Sequence, residues 1–268
     1  MNKEDLVSVI MPTYNAGKYL ADSMNSILNQ TYKNLELLIT DDASTDPTTL
    51  QLLKEYASKD ERVNILYLKE NHGAGYARNK SIERAKGRYI AFCDSDDRWT
   101  TDKLEKQIAF MNKKKCALSC ASYIIFDGET QNEIGFCTAP KKITYGMMKR
   151  DNKVGCLTAI YDVQMLGRKF FMPTIRKRQD WALFLQIIRE CKVCYAYPDK
   201  PLAYYCMRRN SISSNKMSLM KYNIAVYKEI LGFHPIKANL YFFTLFLPTY
   251  GAKILKRKFD SYTFTHKK

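Results

Sequence analysis

With 268 residues, 46% of them hydrophobic, the chain carries enough apolar material for one large domain or a domain with a tail, and intrinsic disorder is excluded. Its net charge of +16 calls for anionic partners such as nucleotide phosphates, nucleic acid or an anionic membrane face, without choosing among them. The eight Cys are irregularly spaced and no apolar leader precedes the first strand, so reduced thiols and a cytoplasmic location are expected.

Taken in order, residues 7–11 form a β-rich run stopped by Pro12, followed by the polar, aromatic turn Thr13-Tyr14-Asn15. Leu20, Met24, Ile27 and Leu28 then fall on one face of a helix predicted over residues 17–30. A second strand, 35–40, ends in Asp41-Asp42-Ala43-Ser44, and a helix over 47–59 leads to a third strand at 63–68. Next comes Gly73-Ala74-Gly75 with Arg78 and Asn79, opening a helix whose free backbone N–H groups and guanidinium could face one anion. The Gly spacing and its place after the third strand rule out a dinucleotide fingerprint.

The fourth strand, opened by Gly87 and closing at Phe92, runs into Asp94-Ser95-Asp96-Asp97, three carboxylates within four residues. Like charges so close repel unless a cation or a hydroxyl-rich ligand answers them, and oxygen ligands suit Mg²⁺ or Mn²⁺. The plainer reading is an acidic turn capping the next helix, with Asp97 or Thr100 at the N-cap. Strand, helix and strand in alternation read as α/β, a parallel sheet wound with helices, in which ligands sit at the carboxyl ends of the strands. An aromatic ring for a base, a carboxylate for a base N–H, an Arg for phosphate and paired Asp for ribose and metal together describe a nucleoside diphosphate site.

Over about its first 210 residues the sequence resembles the inverting glycosyltransferases of family 2, which have the GT-A fold, a mixed sheet flanked by helices. Within that family it looks closest to bacterial teichuronic acid and exopolysaccharide transferases. The resemblance implies that Pro12, Tyr14 and Asp42 hold uracil, that Arg78 approaches the pyrophosphate, that Asp94 touches ribose with Ser95 beside it, and that Asp96 binds Mn²⁺ or Mg²⁺. Ala43 stands where Gly is usual, which is acceptable if φ there is negative.

The second half is less explicit. A helix over 101–112 precedes a β-rich run at 117–127; Gly128, Gly135 and Pro140 then mark loops, followed by a short helix at 144–149 and a strand at 154–160. Cys191-Lys192-Val193-Cys194 has zinc-like spacing but lacks a second pair, and reads as buried thiols. Asp180 opens a strongly apolar helix, where a carboxylate has a complete structural explanation as an N-cap. The resemblance points instead to Asp180 as the catalytic base, with Gln179 replacing the usual Glu. It also implies a lid after the strand at 202–207, from which Arg208 and Ser211 would reach phosphate.

Residues 1–215 therefore read as the GT-A domain, with a nucleotide half to about 115 and an acceptor half beyond it, and 216–268 as a helical, apolar and basic extension. The apolar stretch at 238–255 is too short and broken to span a bilayer. With Lys253, Lys256, Arg257 and Lys258 it suits a helix lying on an anionic leaflet, or packing against the catalytic domain or a partner. The expected partners are a UDP-sugar donor and a saccharide or lipid-linked saccharide acceptor. The rivals are a non-catalytic UDP-sugar-binding subunit and a basic nucleic-acid-binding protein; the latter rests on charge alone and no nucleic acid is expected.

Overall fold

The computed structural model describes residues 5–208 and 216–266. Its first part alternates as expected: β1 (Val7–Thr13), α1 (Tyr19–Leu28), β2 (Leu35–Asp41), α2 (Pro47–Lys59), β3 (Val63–Tyr67), α3 (Ala74–Arg84) and β4 (Tyr89–Phe92). There follow β5 (Arg98–Trp99), α4 (Lys103–Lys114), β6 (Leu118–Ala121), β7 (Tyr123–Asp127), β8 (Glu133–Cys137), β9 (Lys142–Thr144), α5 (Tyr145–Arg150), β10 (Ile160–Asp162) and α6 (Val163–Leu166). The chain closes with α7 (Gln179–Cys191), β11 (Val193–Tyr197), β12 (Ala203–Met207), α8 (Lys216–Ala225), α9 (Pro235–Tyr241) and α10 (Leu247–His266).

The main sheet has the order β3-β2-β1-β4-β10-β6-β11-β9, and a smaller one the order β5-β12-β7-β8. Strands β1 to β4 are parallel, so their carboxyl ends share one edge, while β10 and β9 run against their neighbours and make the sheet mixed. Every residue of β1 is buried, as a parallel strand covered on both faces requires. Side chains alternate by period two. Val9, Met11, Leu37, Ile39 and Ala91 join one core with Leu20, Leu53 and Leu104 of α1, α2 and α4, whereas Ile10, Leu38, Ile90 and Phe92 join the other with Ile82 of α3 and most of α7.

Helix α7 buries Trp181, Ala182, Leu183, Phe184, Leu185, Ile187 and Ile188, so it lies inside the molecule rather than on its surface. Each of its large side chains contributes roughly 1.5–3 kcal/mol relative to exposure. Val226, Tyr227, Ala238, Phe242 and Phe246 from the C-terminal segment complete the same core, with the Tyr227 and Phe246 rings 5.7 and 5.5 Å from that of Trp181. Helix α10 continues to β8, where the Phe136 amide donates to Ser261 Oγ at 3.0 Å. Gly135 makes this approach possible, because a Cβ there would stand 2.6 Å from Ser261 Oγ.

Several expectations are corrected. The run at 117–127 is two strands in different sheets, parting at Ser122. The strand expected at 154–160 is instead a 3₁₀ turn, Cys156–Thr158, before β10, because the Leu157 and Thr158 carbonyls accept from Trp99 Nε1 and Gln107 Nε2 and leave no ladder to join. Strands β8, β9 and β11 replace expected loop or unassigned chain. Within β11, Cys194 is buried with its thiol donating to Cys120 Sγ at 3.7 Å. Ala43 has φ +64°, not the negative value expected. Its turn is fixed from both sides, by Asp41 accepting from Ser44 and by Asn15 Oδ1 accepting from the Thr45 and Asp46 amides at 2.8 and 2.9 Å. These bonds hold a conformation that costs a non-glycine residue about 1 kcal/mol.

Candidate active site

The shared edge of β2, β1 and β4 carries most of the chemistry. Tyr14 leaves the end of β1 half exposed, while Pro12 is buried in the strand opposite Thr40. Asp42 follows β2 and is buried; its two oxygens accept from the His72 and Gly73 amides at 2.8 and 2.7 Å. The carboxylate therefore fixes the turn that opens α3 and keeps lone pairs free for a further donor. Asp42 and Tyr14 are neighbours across the strand ends, since the Asp42 amide donates to Thr13 O at 2.8 Å.

From α3, the nearly buried Arg78 donates through Nη2 to Asp94 Oδ1 at 2.5 Å, while its Nε has no partner among the described residues. Burial alone would lower the guanidinium pKa, but the Asp94 charge, with Cys156, Asp180 and the hydrogen bond to Asp94, outweighs it and the net direction is upward. Asp94, Ser95, Asp96 and Asp97 make a tight turn closed by the Asp97 amide on Asp94 O at 3.0 Å. Asp97 is buried and accepts from the Cys206 amide at 2.9 Å, tying the turn to β12. Burial first, then Asp96 and Asp94, push its carboxyl well above the usual range. It does not cap α4, whose N-cap position is held by Asp102, so the capping reading of Asp97 and Thr100 is corrected.

Asp96 meets Arg208 just after β12, with Oδ2 and Nη2 2.5 Å apart. Its carboxyl is pushed up by burial and then by Asp94, with Arg208 opposing. Arg208 thus stands on a carboxylate in this structure, and Ser211 lies outside the described residues.

Asp180 is not an N-cap. Arg178 holds that position with φ +67°, and Asp180 lies in the first turn of α7, where Oδ2 accepts from Asn152 Nδ2 at 2.8 Å. The neighbouring Gln179 lies against Gly75 of α3 so closely that a Cβ at Gly75 would stand 2.3 Å from its carboxamide. The first turns of α3 and α7 therefore abut. This explains how Arg78, pointing to Asp94, also senses the charge of Asp180. Asn152 and Cys156 were not singled out from the sequence. An Asn in a polar loop reads as a turn residue, and only the fold brings it to a carboxylate 28 positions away.

The geometry has relatives. The family described as Glycosyl transferase family 2 matches residues 8–171. TuaG of Bacillus subtilis, whose name places it in teichuronic acid biosynthesis, is 43% identical over 238 residues, 89% of this chain and 93% of its own. WfgD of Escherichia coli, named as a UDP-Glc:alpha-D-GlcNAc-diphosphoundecaprenol beta-1,3-glucosyltransferase, is 38% identical over 216 residues, 81% of this chain and 83% of its own. Among solved structures, S. aureus TarS 1-349 in complex with UDP-GlcNAc matches with a TM-score of 0.68 at 22% identity, over 88% of this chain and 70% of that one. The protein belongs to glycosyl transferase family 2 and is a glycosyltransferase with the GT-A fold.

Proposed function

We propose that this glycosyltransferase inverts, moving a sugar from a UDP-sugar to a hydroxyl of a cell-surface polysaccharide or lipid-linked oligosaccharide precursor. The observation that carries the reading is the convergence on one edge of exposed Tyr14, buried Asp42, the Arg78–Asp94 pair and Asp96, with Asp180 close enough to act on Arg78. Tyr14 offers a ring for uracil, Asp42 an acceptor for a base N–H, Asp94 an acceptor for ribose hydroxyls with Ser95 beside it, and Arg78 a cation for the diphosphate. Asp180 takes the proton of the acceptor hydroxyl as its oxygen attacks the anomeric carbon and the bond to UDP breaks on the opposite face.

Three crowded carboxylates, two of them pushed above the usual range and answered mainly by Arg78 and Arg208, fit a divalent cation better than a plain turn. No cluster of three metal-ligating side chains is preformed among the described residues, so Asp96 would hold Mn²⁺ or Mg²⁺ together with oxygens of the diphosphate. Such an ion supplies neutralisation of charge on the departing diphosphate. A thermal-shift screen tests this reading. The matching UDP-sugar, present at a hundred times its Kd, is expected to add about 2.7 kcal/mol, roughly 5–10 °C in Tm, and more with Mn²⁺ than without. If no UDP-sugar moves the transition, the donor assignment fails.

The name of WfgD, with its diphosphoundecaprenol acceptor, supports a lipid-linked acceptor, and the surface of the C-terminal helices fits its location. Ile236, Leu240, Phe243, Leu247, Leu255, Phe259 and Tyr262 are exposed at spacings that place them on one side, flanked by Lys256, Arg257 and Lys258. No helix of the described residues is long and apolar enough to cross a membrane. The stripe with its basic flank suits peripheral docking on the anionic cytoplasmic leaflet. The protein is expected to float with vesicles containing phosphatidylglycerol, and Phe259→Asp to float much less; equal flotation of the two would remove the membrane reading.

A further inference from the structure

Resting on Asp180 as the base, we infer that Asn152 positions it and that the C-terminal helices hold Asn152 in place. Asn152 Nδ2 donates to Asp180 Oδ2 at 2.8 Å, while its own Oδ1 accepts from the Val154 amide at 3.1 Å. The second bond orients the carboxamide, so the group facing Asp180 is its N–H₂. One oxygen of Asp180 is thereby committed and the other is left for the acceptor's proton.

The loop bearing Asn152 is fastened from the far end of the chain. Lys253 of α10 donates to Asn152 O at 2.6 Å and pairs with Asp151 Oδ2 at 3.0 Å. Asp151 is buried and also takes Lys153 at 3.1 Å, so two cations converge on one desolvated carboxylate directly beside Asn152. Two further bonds tie the same region to the C-terminal helices: Tyr227 OH donates to Lys149 O at 2.8 Å, and Arg178 Nε donates to Asn223 Oδ1 at 2.8 Å. Arg178 immediately precedes α7, and Lys149 lies in the last turn of α5, against which α7 packs through Trp181 Nε1 on Met148 O at 2.6 Å. The base is therefore held by Asn152, and the segments on either side of that contact are fastened by Asn223, Tyr227 and Lys253, which lie beyond the family-matched stretch ending at 171. The extension acts as a brace for the catalytic geometry.

The test uses full-length protein, following UDP release from UDP-glucose or UDP-N-acetylglucosamine, whichever gives the larger thermal shift, with water as the acceptor. Displacing a catalytic group by an ångström lowers rates by up to about a hundredfold. Asn152→Ala is expected to lower kcat by about ten- to a hundredfold with KM for the donor and UDP affinity unchanged. Lys253→Met is expected to give a smaller loss of the same kind and Lys253→Arg to restore it. Because the two residues act in series, Asn152→Ala with Lys253→Met should be no slower than Asn152→Ala alone. If Asn152→Ala does not fold, Lys253→Met reports through the same split. Wild-type kcat in Asn152→Ala beside an inactive Asp180→Asn overturns the brace and leaves the base standing. A parallel fall of kcat, UDP affinity and Tm makes Asn152 structural only and likewise overturns it. An active Asp180→Asn removes the base, and the brace with it.

Discussion

Asp180→Asn is expected to lower turnover by about 10²- to 10⁴-fold, the contribution of a positioned general base, while UDP binds almost as before. The substitution keeps the size of the side chain and an oxygen that can still accept from Asn152 Nδ2, so the first turn of α7 has no reason to move. Packing around it is untouched, since Trp181 and Leu183 to Leu185 hold the helix from the core side. What is lost is the capacity to take a proton, together with a charge near the helix N-terminus worth about 0.3–1 kcal/mol. The check is a pair of measurements: the rate of UDP release, and a calorimetric titration with UDP. Near-normal turnover would withdraw the base assignment. A loss of UDP affinity matching the loss of rate would place Asp180 in donor binding, since uniform weakening of binding is not a loss confined to the transition state.

The nucleotide half was legible because its strands are short, apolar and closed by polar residues. Val7 to Met11 and Tyr89 to Phe92 are buried on both faces, so composition alone marks them as inner parallel strands and puts Tyr14, Asp42 and Asp94 on a common edge. Beyond residue 115 the pattern weakens for physical reasons. Strand β8 is only partly buried and owes its place to β7 on one side and α10 on the other, a partner more than a hundred residues away. Strand β11 begins two residues after the α7 C-terminus and alternates half-buried with buried side chains, and its Cys pair draws attention to metal chemistry instead.

The site shows the same division. Asp94, Asp96 and Asp97 announce themselves by crowding, whereas Asn152 has no local signal. Its role depends on a loop closing onto α7 and on Lys253 reaching back to that loop. Ala43 misled in a different way. Residue type argued for negative φ, but Asp41 and Asn15 supply enough hydrogen bonds to hold the left-handed turn. Local preference was overruled by tertiary bonds at the strand ends that carry Tyr14 and Asp42.

Asp96→Asn is expected to cut metal-dependent turnover by about 10²- to 10³-fold, the equivalent of several kcal/mol of charge neutralisation at the leaving diphosphate. The reasoning starts from the ligand-free arrangement. Asp96 is partly buried beside Asp94 and Asp97, and its neighbours' repulsion is relieved by Arg208 at 2.5 Å. A carboxamide there is uncharged, so it binds a hard divalent cation poorly and leaves Arg208 without its ionic partner. The folded protein should tolerate this, because one of three mutually repelling carboxylates has been removed. The discriminating measurement is the difference in Tm with UDP between buffers containing Mn²⁺ and a chelator. Wild type should show a larger shift with Mn²⁺, and Asp96→Asn the same modest shift in both. Should the variant retain the full Mn²⁺-dependent increment, the ion is held elsewhere and Asp96 serves only as the partner of Arg208.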